Sequence, residues 1–377
     1  MRINTVPDDS PMDTIWGVSV RSRVVICVIF LLILALIVIG SYDCENFDST
    51  NTAVSFPFRQ LGDELDNKLP IICVTAFFRK DDHKKKYEKY LTNGMYMIGC
   101  TAYKSFPRKI YDVSEDRYHH RDNFDYTKNI RDWMCCLNLS YDSNRYGFTD
   151  WNRMIDISES DFYDVDPHHT VKKYDFIYIC NKDSDSCPAD GWNTINRNFD
   201  LAKRCFPIMT EMGLKRGLIV GRVGCNLEKL YPEFTITDFL QWKEMQQRMK
   251  ESKFLFVPNI YDASPRVVAE CLTKGLPVLM NRGILCGYKY INNHTGEFFT
   301  DHHDIGVSLE SLIDRIDRHM YDTRKWWKDN YGVERSGERL RNFIYQSLRD
   351  ETQNNDQHML YGLLKTVERI RQIKFVM

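Results

Sequence analysis

An excess of either charge is missing from this chain: 51 basic and 52 acidic residues leave a net charge of −1 over 377 residues. Without a basic surplus it has no electrostatic footprint of a nucleic-acid binder. The twelve cysteines include no Cys-x-x-Cys pair, which excludes a zinc ribbon and a thioredoxin-type motif. No dinucleotide fingerprint is present, since Gly221-Arg222-Val223-Gly224 lacks the three-glycine spacing. Residues 1–23 have no hydrophobic period and read as a polar cytoplasmic tail. What the chain does have is 43% hydrophobic content, enough for one large domain or two ordinary ones.

Charge is absent altogether from Val24 to Gly40, an apolar run that Ser41 and Tyr42 extend towards the roughly 20 residues of a bilayer span. Arg21 and Arg23 precede it, and Asp43 and Glu45 follow. The basic flank stays cytoplasmic, so residues 24–42 are expected to be a single N-terminal transmembrane signal anchor of type II topology. The remainder would then be outside or lumenal, in the Golgi or another endomembrane. A cleaved signal peptide fits less well, given the long polar stretch before the run and the absence of a small-residue cleavage pattern. A lumenal body is compatible with disulfides, but Cys27 lies in the span and leaves an odd number of the twelve cysteines, whose pairing cannot be read from spacing. Asn138-Leu-Ser and Asn293-His-Thr are glycosylation acceptors, Asn293 the weaker because it falls near the expected ligand cleft.

Residues 43–69 are polar and read as a stem. Residues 70–166 read as a small α/β domain, with a strand at Pro70–Phe78, a helix at Asp82–Met97 and an apolar run at Met154–Ile157. A linker at Asp164–Thr170 leads to a second α/β domain over 167–347, opening on the strand Tyr174–Cys180 and continuing with Gly217–Val220. A helix is expected over Thr235–Lys250 with Thr235 as its cap, and further helices over Leu309–Tyr321 and Thr323–Ser347, whose Trp326, Trp327 and Tyr331 suit a core. Residues 348–377 form a helical extension whose amphipathic stretch, Met359–Ile373, could pack back across the first domain.

The second domain is organised around Phe254–Asn281. Its apolar start, Phe254 to Val257, has a buried strand's length and composition, and Pro258 stops it. Ser264-Pro265 reads as an N-cap followed by a proline at the first helical position. Val267, Val268, Cys271 and Leu272 share one helical face, and Gly275 suits the left-handed residue that closes such a helix. Pro277 to Met280 starts another buried strand. Strand, loop, helix and strand make a parallel crossover, whose ligands sit at the carboxyl ends of the strands. Asp262 and Glu270 lie there, and the first N–H groups of the helix, near Ser264, Arg266 and Val267, offer an anion site suited to a diphosphate. The plainer alternative makes Arg266 and Glu270 an i,i+4 surface ion pair and Asp262 a turn former.

This segment resembles the donor-site motif of the retaining glycosyltransferases of family four, also called group one, which have the GT-B fold. Pro258, Asp262, Glu270, Gly275 and Pro277 keep the family's register without a gap. Asn259 stands where the family has serine, and Asp262 where it has the first of two glutamates. The resemblance implies that the first acid touches the donor sugar and the second holds the ribose. It also implies two Rossmann-like domains facing a cleft, with two cations on the donor phosphates. Lys182 and Arg197 are the matching candidates, with Arg222 a weaker one in a turn similar to the family's Val-Gly-x-Gly. The first domain carries no family motif. The activity implied is a hexosyltransferase-like transfer of a sugar from a nucleotide-sugar to a carbohydrate or glycoconjugate acceptor, with retention and without a metal or other cofactor.

Two alternatives remain. Asp183-Ser184-Asp185 after a hydrophobic strand could hold Mg²⁺ or Mn²⁺ on a diphosphate, as in metal-dependent transferases of the GT-A fold. A membrane-tethered sugar-binding module without turnover is the other. The pairs His119-His120, His168-His169 and His302-His303 are not expected to bind zinc, because adjacent side chains of a strand point to opposite faces.

Overall fold

A computed structural model describes residues 54–101, 106–107, 111–112, 117–118, 123–136, 148–149, 153–157, 170–262, 265–354 and 358–375. The apolar run 24–40, Asn138 and Ser264 lie outside these residues. Among the described residues no helix is long and apolar enough to cross a membrane. In chain order the first elements are β1 (Phe58–Gly62), β2 (Lys68–Val74), α1 (Asp81–Thr92), β3 (Tyr96–Cys100), β4 (Tyr111–Asp112), β5 (Arg117–Tyr118), α2 (Tyr126–Asn129), β6 (Asp132–Cys135) and β7 (Arg153–Asp156). Then come β8 (Phe176–Ile179), α3 (Trp192–Asn196), α4 (Phe199–Glu211), β9 (Gly217–Val220), α5 (Leu227–Leu230), β10 (Thr235–Thr237), α6 (Trp242–Lys250), β11 (Leu255–Val257), α7 (Arg266–Thr273), β12 (Val278–Asn281), β13 (Gly296–Phe299) and α8 (Ile305–Asp317). The chain ends with α9 (Thr323–Asn330), α10 (Gly332–Asn354), α11 (His358–Arg369) and β14 (Lys374–Phe375).

These strands form two large sheets, both rich in parallel pairs. The second has the order β10-β9-β8-β11-β12-β13 and is parallel throughout. Its inner strands β9, β8, β11 and β12 are short and almost wholly apolar because helices cover both faces. Their side chains alternate accordingly. Phe176, Tyr178, Phe254 and Phe256 join one core with Phe206 and Leu309, while Ile177, Leu218, Leu255 and Val257 join the other with Val268 and Trp327. Numbered within the sheet, the order is that of the doubly wound nucleotide-binding fold, with a reversal between β8 and β11.

The first sheet runs β14-β1-β2-β3-β6-β7, with β1 antiparallel to both its partners and the others parallel. One face carries an aromatic cluster that includes Phe58, Phe78, Tyr87, Phe106, Tyr126 and Trp133. The other is covered from the far end of the chain: Leu340, Ile344 and Leu348 of α10 and Leu363 and Val367 of α11 pack with Ile71, Ile98 and Met134. The spacing of Leu340, Ile344 and Leu348 is one apolar stripe of a helix.

Several local expectations change. The helix expected to reach Met97 stops at Thr92, because Gly94 turns the chain at φ +73° and Tyr96–Cys100 becomes a strand. Thr235-Ile-Thr is β10 and not a helix cap; its two β-branched threonines and Ile236 extend the parallel sheet, and the helix starts only at Trp242. Within the stretch read as stem, Phe58–Gly62 is a strand whose only large apolar residues are Phe58 and Leu61, too few to mark it. The single helix expected over Thr323–Ser347 is broken at Gly332, φ +66°, and the return to the first sheet begins there.

That return is fastened by Asp132, which is 1% exposed. Its Oδ1 accepts from Ser347 Oγ at 2.9 Å and lies 3.0 Å from Arg153 Nε, and Tyr96 donates its hydroxyl to Oδ2. Arg153 also reaches Asp350 at 2.6 Å and the Ser347 carbonyl at 3.0 Å. Replacing one member of a buried pair strands the others. Asp132→Ala is expected to lose about 3 to 5 kcal/mol of stability in urea unfolding, whereas Asp350→Ala, at a position 38% exposed, should lose less than about 1 kcal/mol. Equal losses in the two variants would show that α10 is not held through Asp132.

Candidate functional site

Where β8 and β11 lie side by side, the connections leaving their carboxyl ends diverge, one to β9 and β10 and the other to β12 and β13. Such a reversal opens a crevice beyond the strand ends. From the β8 side comes Arg197, directly after α3. Its carbonyl accepts from Tyr178 Oη at 3.2 Å, and Asn198 takes the left-handed conformation, φ +50° and ψ +52°, that starts α4. From the β11 side comes Asp262. The Arg197 guanidinium and the Asp262 carboxylate form an ion pair across the reversal.

Asp262 is held from two more directions. Asn259 Nδ2 donates to Asp262 Oδ2 at 3.0 Å, and Cys286 N donates to the Asp262 carbonyl at 3.1 Å. The two departures from the family pattern are thus bonded to each other: an asparagine that reaches further than serine meets an aspartate shorter than glutamate. Cys286 in turn directs its thiol at the Cys136 carbonyl, just past β6, and Lys289 pairs with Asp156 at the end of β7 at 2.9 Å. The carboxyl edges of the two sheets therefore meet here, and Asp262 lies at the junction.

Arg266 opens α7 with its side chain exposed, Val267 behind it is half-buried, and Pro265 occupies the cap position with Arg266 as the first helical residue. Burial pushes the pKa of Arg197 below its ordinary value, and the positive charge of Arg266 nearby adds to that push. Two cations, one carboxylate and the start of a helix are thereby gathered at one end of the β8/β11 gap.

Glu270 is placed differently. On the second turn of α7 it is 9% exposed and accepts from Gln246 Nε2 of α6 at 2.8 Å. With Arg266 exposed and Glu270 buried against α6, these two do not form the surface pair of the plainer alternative. Gly275 follows α7 in the left-handed region, φ +81°, as its spacing suggested.

Lys182 is on the other flank, bridging Asp185 at 2.8 Å and Asp238 at 3.4 Å, beyond the ends of β8 and β10. Arg222 does not face the crevice. It is 0% exposed and donates to Cys180 Sγ at 2.6 and 3.2 Å and to Thr194 Oγ1 at 3.1 Å, with its guanidinium 4.3 Å from the Phe199 ring centre. Its role is to hold α3 and α4 against β8, and its Nη1 has no hydrogen-bond partner among the described residues. The Cys187–Cys225 disulfide staples the loop after β8 to the turn after β9.

The Asp-Ser-Asp triplet has other duties. Asp183 caps α3, accepting from Asn193 N at 2.9 Å and Thr194 N at 3.2 Å, and a Cβ on Gly191 would come within 2.2 Å of its Oδ2. Asp185, 96% exposed, turns to Lys182 instead. Each carboxylate thus has a separate partner. Asn293 is exposed in the turn before β13.

Sequence reasoning overlooked Gln246 and the bond made by Asn259. Asn259 had a signal, since it occupies the position after Pro258 where the family has serine. Gln246 had none: it is one polar residue on a largely polar helix.

No family profile matches the chain, and no curated protein matches it. Similar solved structures include a mutant of TarM from S. aureus in complex with fondaparinux, α-GlcNAc-glycerol and UDP. It is 12% identical with a TM-score of 0.48, over 66% of this chain and 50% of that one, so the chain spans about half its length. A sucrose-phosphate synthase from Thermosynechococcus elongatus is 10% identical with a TM-score of 0.48, over 76% of this chain and 74% of that one. A glycosyltransferase from Rickettsia africae is 12% identical with a TM-score of 0.47, over 78% and 76%. Likenesses of this depth carry no functional weight; the side chains of the crevice do.

The Arg197–Asp262 contact can be measured without any ligand. A double-mutant cycle with Arg197→Met and Asp262→Asn, read as urea stability, should give a coupling energy of about 1 to 3 kcal/mol. Additive losses would mean that the two side chains do not meet in solution.

Proposed function

We propose that the chain is a glycosyltransferase that binds a nucleotide-sugar in the crevice beyond β8 and β11 and passes the sugar to a carbohydrate or glycoconjugate acceptor. The observation that carries this reading is the meeting of Arg197 with Asp262, beside Arg266 and the start of α7. That gathering suits a diphosphate joined to a sugar, because phosphate needs cations and helix N–H groups while sugar hydroxyls need an acid. When the donor enters, Arg197 exchanges its carboxylate partner for phosphate oxygens, and Asp262 is released to accept from a sugar hydroxyl. Arg197, Arg266 and the N–H groups of α7 then offset the charge that grows on the departing diphosphate. Lys182 is a further cation on the β10 flank. Glu270, steadied by the Gln246 amide, anchors the ribose. By the family resemblance, transfer proceeds with retention and without a metal ion.

The body works in the lumen of an endomembrane compartment such as the Golgi, or outside the cell, tethered through the apolar run 24–40, with Asn138 and Asn293 as glycosylation acceptors. The Cys187–Cys225 disulfide supports an oxidising compartment.

Thermal shift of the full chain with nucleoside diphosphates and their sugars, with and without Mn²⁺, tests the reading. A ligand at a hundredfold excess over its Kd adds about 2.7 kcal/mol of stability, and the matching nucleotide should produce this without metal. Arg197→Met and Glu270→Ala should each abolish the shift while leaving the Tm without ligand within a few degrees of wild type. Stabilisation only with Mn²⁺, lost in Asp183→Ala, would support a metal-dependent transferase instead. Binding with neither transfer nor donor hydrolysis would leave a sugar-binding module.

A further inference from the structure

Between β13 and α8 the chain turns through Thr300-Asp301-His302-His303-Asp304. We propose that Asp301, His302 and His303 form a site for a divalent transition-metal ion of the zinc class, separate from the diphosphate crevice. Each residue offers one ligand atom, and the three atoms lie within 4.8 Å of one another. The adjacent histidines are in a turn and not in a strand, so their rings converge, with centroids 3.9 Å apart. Asp301 and His302 are half-buried and His303 is exposed, which leaves the cluster open on one side.

A second observation points to a ligand. Nδ1 of His302 is buried and has no hydrogen-bond partner among the described residues. A buried ring nitrogen left unsatisfied is costly. An ion gathered by the three side chains gives the imidazole a bonding role that the described residues around it do not supply. The frame of the turn stands without the ion. Asp304 accepts from Thr300 N at 2.9 and 3.0 Å and from Asp301 N at 3.0 Å, and Asp301 Oδ1 accepts from His303 N at 2.7 Å.

The chemistry of the donors selects the ion. Two imidazoles and one carboxylate suit zinc or copper, whereas magnesium and calcium prefer all-oxygen shells. Three protein ligands leave a fourth position for water. The start of α8 carries a partial positive charge that opposes a cation, and the Asp301 and Asp304 carboxylates offset it. β13 is two strands beyond β11 at the sheet's edge, so the ion would sit in the turn that joins this edge strand to α8, apart from the strands that carry Arg197 and Asp262.

Isothermal titration of the full chain with ZnCl₂ and with MgCl₂ tests the site. Wild type should bind one zinc equivalent that His302→Ala/His303→Ala lacks, and His303→Ala alone should weaken that equivalent about tenfold or more. Magnesium should give no matching heat. His303 is exposed, so its variant folds even if the double variant does not. A zinc isotherm unchanged in His303→Ala, or competition by magnesium at equal concentration, would overturn the proposal. The donor reading plays no part in this outcome, since zinc binding is read without nucleotide.

Discussion

The reversal of strand order between β8 and β11 is the constraint on which the site depends. All six strands of that sheet are parallel, so every carboxyl end falls on one edge. Were the order sequential, each connection would cover the edge beside its neighbour. The reversal sends two connections apart and leaves a gap that no backbone fills. Arg197 enters from one side and Asp262 from the other, and their ion pair spans the gap. The contacts of Cys286 with Cys136 and of Lys289 with Asp156 bring the carboxyl edge of the first sheet to the same place.

Charge in this region is paired across the gap. A half-buried guanidinium loses hydration and needs an anion, and Asp262 supplies it. Asn259 orients Asp262, because its Nδ2 can only donate and so fixes which carboxylate oxygen it meets. Arg222 presents a contrast. It is equally cationic, but its partners are a thiol, a hydroxyl and an aromatic face, so it acts as a rigid strut beneath the loops. Glu270 and Gln246 form a third arrangement, an acid set in the α6/α7 interface by a neutral donor. Three polar groups near one sheet edge are thus held in three ways: Arg197 by a carboxylate across the gap, Glu270 by a neutral amide, and Arg222 by a thiol, a hydroxyl and an aromatic face.

Much of the second sheet was legible in the sequence because its strands are buried on both faces and read as unbroken apolar runs. Gly217–Val220 is the clearest case, and Gly275 ended α7 as its type suggested. β10 was hidden because Thr-Ile-Thr is too short to show a period and merges with the polar helix after it. β1 was hidden for a related reason, since an antiparallel edge pairing shows only two apolar residues. At the site, the register from Pro258 to Pro277 placed Asp262 and Glu270 correctly on a loop and a helix. What one sequence cannot carry is the partner: the contact of Arg197 with Asp262 spans 65 positions. The burial of Arg222 was equally invisible, because a Gly-Arg-Val-Gly turn is ordinarily solvent-facing.

The pairing of β1 with β14 sets the order in which the molecule can be completed. Leu61 lies opposite Phe375, and the apolar face of the first sheet is closed by α10 and α11. The two hydrophobic cores of the second sheet, by contrast, are drawn wholly from between residues 170 and 331. As the chain leaves the ribosome, the later-made sheet can therefore close first. The earlier-made one must wait with its hydrophobic face uncovered until the last turns emerge, the interval in which a chaperone would have most to hold.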